Sequence, residues 1–123
     1  MEIKQLENII IDALEDVKAT DIEVINTSKI TPMFDRVIVA SAESNRQTRA
    51  LANNVQVKVK AAGGEVVGSE GEDSGEWVLV DLGDVVVHIM QPAIRAHYQL
   101  EDLWASTPAL RRKVGNTPPN EQS

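Results

Sequence analysis

Apolar residues recur along the first segment of the chain at helical spacing. Leu6, Ile9, Ile10, Ala13, Leu14 and Val17 fall at i, i+3, i+4, i+7, i+8 and i+11, one stripe that needs a core to face. The period then changes. Ile22–Asn26 reads as a short strand, and Thr27–Thr31 with Pro32 as a polar connection. Val37–Ala40 is an unbroken apolar run bounded by polar residues, as expected of a central strand buried on both faces. Ser44 followed three residues later by Gln47 predicts a capping box. The helix it opens carries Thr48, Leu51, Ala52, Val55, Val59 and Ala62 on one face and is closed by Gly63-Gly64. Glu65–Ser69 predicts a brief strand, and Glu70–Gly75 an acidic, Gly-rich loop.

The last third of the pattern is the densest. Trp77–Asp81 and Asp84–Met90 predict two strands joined by a Leu82-Gly83 turn. Pro92 suits the first turn of a helix running to about Tyr98, and Leu100, Leu103 and Trp104 form a final apolar cluster. Beyond Ser106 come three prolines and the basic triplet Arg111-Arg112-Lys113, a composition expected of a disordered tail over 106–123. The element order predicts a single α/β domain over residues 1–105, a mixed β-sheet flanked by α-helices.

Composition narrows the classes. The 123 residues carry 12 Lys plus Arg against 19 Asp plus Glu, a formal net charge of −7. That balance argues against salt-sensitive wrapping of DNA or RNA but suits a basic protein partner, whose approach it accelerates. With no cysteine, disulfides, thiolate metal sites and cysteine nucleophiles are excluded. The apolar runs fall far short of the ~20 residues that span a bilayer, and the N-terminus has no signal-peptide core, so no membrane partner is expected and a cytoplasmic protein is. Aromatic residues make up only 3%, leaving Val, Ile, Leu and Ala to fill the core.

Candidate chemistry is sparse. Asp81 and Asp84 flank the expected turn, so they can meet at one end of a hairpin. That suggests solvated turn residues, a binding surface, or magnesium-dependent nucleotidyl transfer. The spacing fits the last poorly, because such enzymes set two acids one residue apart on a single strand. His88 and His97 with Asp81 would make a thin metal set, and no nucleophile elbow or phosphate loop exists. The rings are more informative: Trp77, Tyr98 and Trp104 gather late in a chain that is otherwise almost without them. Alternation puts Trp77, Leu79 and Asp81 on one strand face, and Val86, His88 and Met90 on one face of the next. If the two faces coincide, the patch mixes ring, thioether, imidazole and carboxylate, a composition typical of interfaces; the alternative is that both tryptophans are core.

Four segments, in this order and spacing, resemble the ribosomal silencing factor family (RsfS, or iojap-like). They are Ser44–Gln47, Trp77–Asp84, Val85–Met90 and Tyr98–Trp104. The likeness spans about residues 3–105. It implies a nucleotidyltransferase-like fold without the catalytic constellation, and a protein that is not an enzyme and needs no cofactor or metal. It further implies binding to large-subunit ribosomal protein fourteen on the large ribosomal subunit, which blocks the small subunit and represses translation when nutrients run short. By position, the implied contact residues are Trp77, Asp81, His88, Met90, Tyr98, Leu100 and Trp104. The competing readings are a metal-dependent nucleotidyltransferase or phosphohydrolase using Asp81 and Asp84, and a homodimer that buries the aromatic patch against itself. Arg36 departs from the family pattern, where a non-basic, often aromatic residue follows the aspartate.

Overall fold

Two strands with no polar face set the plan of the molecule. The structure is a computed structural model that describes residues 1–98 and 111–113, with Tyr98 and 111–113 described by their backbone. The elements are α1 (Ile3–Asp16), β1 (Thr20–Asn26), β2 (Arg36–Ser41), α2 (Asn45–Ala61), β3 (Gly68–Glu70), β4 (Trp77–Asp81), β5 (Val85–Met90), α3 (Pro92–Tyr98) and β6 (Arg111–Lys113). They build one mixed sheet in the order β3-β4-β5-β2-β1-β6. β2 and β5 are the parallel pair at its centre, and every other pairing is antiparallel. Parallel strands are stable only when covered on both faces, and Val37 to Ser41 are accordingly all buried.

α1 and α2 cover one face. Their stripes (Leu6, Ile10, Ala13 and Leu14; Leu51, Ala52, Val55 and Val59) meet Val24, Ile38, Val78, Val80, Val87 and Ile89 in the main core. The spacing predicted both helices, and the capping box forms with a difference. Ser44 Oγ accepts the Gln47 N–H at 3.1 Å, but Gln47 Oε1 accepts from the Glu43 N–H, one residue before the expected partner. The Gln47 amide is drawn back to donate to the Val17 and Lys18 carbonyls, fastening the end of α1 to the start of α2. Both helices end in the same two-bond motif. Gly64 N–H reaches the Val59 carbonyl and Gly63 N–H that of Lys60; Ala19 and Lys18 repeat this on Leu14 and Glu15. The left-handed residue is Gly63 in one case and Lys18 in the other, at φ +89 and +64.

Three features differ from the sequence reading. The third strand lies at Gly68–Glu70, later than Glu65–Ser69, because Val66 packs against the core and pairing with β4 begins at Gly68 opposite Asp81. The β4–β5 turn is centred on Gly83-Asp84, since Leu82 N–H bonds to the Val85 carbonyl and φ is +85 at Gly83. Residues 111–113, inside the stretch read as a tail, pair with β1 as an edge strand. Arg36 also gains an account: its Nε lies 3.3 Å from the buried Glu7 carboxylate, which also takes Lys4 at 3.1 Å, and so pins α1 to β2.

The second face is held differently. Ile25, Val37, Val39 and Met90 form a smaller buried cluster against which Phe34, Trp77 and Ile94 pack. α3 crosses this face and is anchored by Arg95, whose guanidinium donates to the Asp21 carbonyl and to Ser41 Oγ and lies 3.7 Å from Glu23 Oε2. Asp21 sits at φ +48 in a bulge of β1, a conformation uncommon for a residue with a side chain. Replacing a buried cation in such a cluster leaves several polar groups without their donor. Arg95→Met is therefore expected to lower the unfolding free energy by on the order of 3 kcal/mol in urea titrations; a loss below about 0.5 kcal/mol would mean that α3 is held by Ile94 packing alone.

Candidate functional site

Cross-strand register decides what the second face presents. Trp77 lies opposite Met90, Leu79 opposite His88 and Asp81 opposite Val86. The two faces read from alternation therefore coincide, since directly opposed residues share a side of the sheet. Parallel pairing continues the rows inward: Val37 stands beside Val86, Val39 beside His88 and Ser41 beside Met90. Exposure grades along these rows. The β2 and β1 ends lie under Phe34 and Ile94, whereas Trp77, Leu79, Asp81 and His88 are half-buried and reach the surface toward β3.

This grading corrects one expected contact residue. Met90 has no exposed surface and belongs to the buried cluster, so it packs beside Trp77 instead of meeting a partner. Tyr98 ends α3. Leu100 and Trp104 lie outside the described residues.

The centre of the strip is one specific hydrogen bond. Trp77 Nε1 donates to His88 Nδ1 at 3.1 Å, with ring centroids 5.9 Å apart and planes inclined by 50°. An indole N–H can only donate, so Nδ1 must be unprotonated and the ring proton sits on Nε2. Burial acts in the same direction: desolvation pushes the His88 pKa down from 6.5 to about 4. His88 is thus a neutral imidazole of defined tautomer at physiological pH.

Backbone geometry behind Trp77 is equally constrained. Gly71 has φ +92, and a Cβ there would collide with the Trp77 carbonyl oxygen. Its loop is fastened to α2. Thr48 Oγ1 donates to the Gly75 carbonyl, and Arg49 donates through Nε and Nη2 to the carbonyls of Glu72 and Asp73 at 2.6 and 2.9 Å. Gln91 N–H closes the other side on the Glu76 carbonyl at 3.1 Å. Sequence reasoning missed Thr48 and Arg49 as supports of this strip; the available signal was Thr48, a polar residue on an otherwise apolar helix stripe.

Asp81 and Asp84 are placed differently from the expected pair. With the turn at Gly83-Asp84, Asp81 faces Val86, and its Oδ1 accepts the Gly83 N–H at 2.9 Å. Asp84 is exposed in the turn, where its carbonyl accepts from Asp35 and Arg36 N–H. The two acids do not face one another across the hairpin, as the expected turn would have placed them. Among the described residues no group of three His, Cys, Asp or Glu side chains is placed to hold a metal ion, and no helix is long and apolar enough to cross a membrane.

The family model described as "Ribosomal silencing factor during starvation" matches residues 1–123. The chain belongs to the ribosomal silencing factor family. A ribosomal silencing factor RsfS of Chromobacterium violaceum is 60% identical over 104 residues, 85% of each chain. A crystal structure of a protein from that organism superposes with a TM-score of 0.84 at 54% identity, covering 96% of this chain and 91% of that one. A mouse protein named mitochondrial assembly of ribosomal large subunit protein 1 is 30% identical over 100 residues, 79% of this chain and 44% of its own. The single α/β domain of this chain is therefore shared with that crystal structure.

The burial of His88 carries a pH signature. The folded protein resists protonating His88 until about pH 4, whereas the unfolded chain takes up that proton near 6.5. The stability tied to keeping His88 neutral in its buried site is thus complete above pH 6.5 and is lost as pH falls toward 4. Asparagine offers Oδ1 where imidazole offers Nδ1 but does not titrate. Relative to His88→Asn, the unmodified protein is expected to lose on the order of 2 kcal/mol across this window in pH-dependent denaturation; parallel pH profiles would refute the assignment.

Proposed function

We propose that this chain is a translational repressor that docks on the large ribosomal subunit through large-subunit ribosomal protein fourteen and so keeps the small subunit from joining. One observation carries the reading to this surface: α1 and α2 cover one face of the sheet, while the other presents a half-exposed strip of ring, aliphatic, imidazole and carboxylate side chains. Membership in the silencing-factor family supports the ribosome as partner, and the name of the mouse relative supports the large subunit.

The mechanism is steric. No bond is made or broken; occupancy of part of the subunit-joining surface suffices. Trp77 and Leu79 would supply buried area, and Asp81 would meet a basic group at the rim, with Tyr98, Leu100 and Trp104 extending the contact. The net charge of −7 favours encounter with a basic ribosomal protein. In the absence of ribosomes the same strip can bury itself in a homodimer that gives way on docking.

The test is co-sedimentation of the full chain with isolated large and small subunits. Binding to large subunits alone is expected, weakened by at least about tenfold in Trp77→Ala, which deletes a half-buried anchor. Asp81→Ala should weaken it by a smaller factor that shrinks further as salt is raised. Equal binding to both subunits, or none to the large one, would sink the proposal. Sedimentation of the free protein at rising concentration reads the dimer directly.

A further inference from the structure

The strip contains a polar group that packing alone does not require. β5 is apolar and buried throughout except at His88, which is half-exposed between Leu79 on β4 and Val39 on β2. Its Nδ1 is taken by the Trp77 indole, and the proton therefore sits on the far nitrogen. No partner for that Nε2–H stands among the described residues, and the nitrogen is not among their buried atoms without a partner. It is an outward donor whose tautomer and orientation are fixed before any partner arrives.

We infer that His88 is a specificity-determining contact of this face, presenting its Nε2–H to an uncharged carbonyl oxygen of the docking protein, with Trp77 as the residue that positions it. The inference rests on the docking function proposed above and deepens it. A neutral imidazole in partly apolar surroundings suits a neutral acceptor; a carboxylate would instead draw a proton onto the ring and favour the imidazolium. The charged groups on the same face agree. Glu70 on β3 and Asp81 on β4 lie toward the open edge, while Glu23 on β1 lies across Val39 beside Arg95 of α3. Glu70 and Asp81 would repel a further carboxylate brought to His88, whereas the charge of Glu23 is offset by Arg95. A partner without an acceptor at this point would bury the donor unsatisfied, which gives the contact discrimination as well as affinity.

Two side chains separate the two ring nitrogens. Asparagine keeps an acceptor where Nδ1 stands, so His88→Asn retains the bond to Trp77 but lacks the outward donor. Glutamine reaches the Nε2 position with an amide N–H, so His88→Gln can restore the donor. Binding to large subunits is expected to weaken about tenfold in His88→Asn, the equivalent of one hydrogen bond, and to recover most of that loss in His88→Gln. Between about pH 8 and pH 6 the ratio of unmodified to His88→Gln affinity should stay constant; a carboxylate acceptor would make it climb as pH falls. Nitrogen-15 spectra of the histidine-labelled protein give a readout that packing alone would not move. They should show Nδ1 unprotonated and Nε2 protonated, and Trp77→Phe should let the tautomers mix. Equal binding by unmodified protein, His88→Asn and His88→Gln would overturn the inference and leave the docking function standing. So would an Nδ1-protonated ring or a climbing affinity ratio. Failure of the unmodified protein to bind large subunits would remove both.

Discussion

The parallel pairing of β2 with β5 is the constraint on which the rest of this molecule depends. Its residues carry apolar side chains toward both faces, so each face needs cover. The cover is unequal. α1 and α2, of 14 and 17 residues, seal one side. On the other side, α3 has only seven residues, about 10 Å of helix, laid on a six-stranded sheet roughly 24 Å across. α3 and Phe34 therefore shelter the β2 and β1 part of the second face, and the β4 side is left half-open. Among the described residues, the candidate surface is the part of this face that α3 and Phe34 do not cover.

That geometry explains why Trp77 and His88 stand together. At the border of the covered region a wholly apolar pair would expose oil, and a charged one would be desolvated by its neighbours. An indole donating to a neutral imidazole satisfies the polar atoms facing inward and keeps the remaining donor facing out. The supports lie around it: Met90 buried beside Trp77 on the neighbouring strand, and the Gly71 loop lying against the Trp77 backbone where no side chain fits. The loop in turn is tied to α2 through Thr48 and Arg49. The surface is thus organised from the covered face outward.

Much of this was legible in the chain because it is periodic. The α1 and α2 stripes, the Val37–Ala40 run and the alternation along Trp77–Asp81 and Val86–Met90 all report burial, and burial recurs with the period of the element. What periodicity does not carry was misread or missed. Leu82-Gly83 and Gly83-Asp84 both fit a two-residue turn, and only pairing across the ladder selects the second, which moves Asp84 out of line with Asp81. Met90 has the composition of an interface residue, but it is buried in a cluster with Ile25, Val37 and Phe34, remote in sequence. The ion pairs of Arg36 with Glu7 and of Arg95 with Glu23 join elements 29 and 72 residues apart, beyond any local pattern. The hydrogen bond that fixes the His88 tautomer lies along a diagonal of the sheet, visible only once the register is known.

Charge and packing divide the work of recognition on the proposed docking face. Its middle is neutral, since His88 carries no charge at physiological pH and Trp77 and Leu79 carry none at any pH. The acids gather toward the β3 edge: Glu70, Asp81, and the loop residues Glu72, Asp73 and Glu76. Arg49 spends its guanidinium on the carbonyls of Glu72 and Asp73 instead of their carboxylates. It orders the loop while leaving its negative side chains unpaired with it, so the field there survives. A basic partner is then drawn in by a rim whose effect salt can screen over roughly 10 Å, while a neutral, pre-oriented centre that salt hardly touches holds it in place. A protein that must find one basic surface among many needs the first for speed and the second for choice, and this fold keeps them on adjacent strands of one sheet.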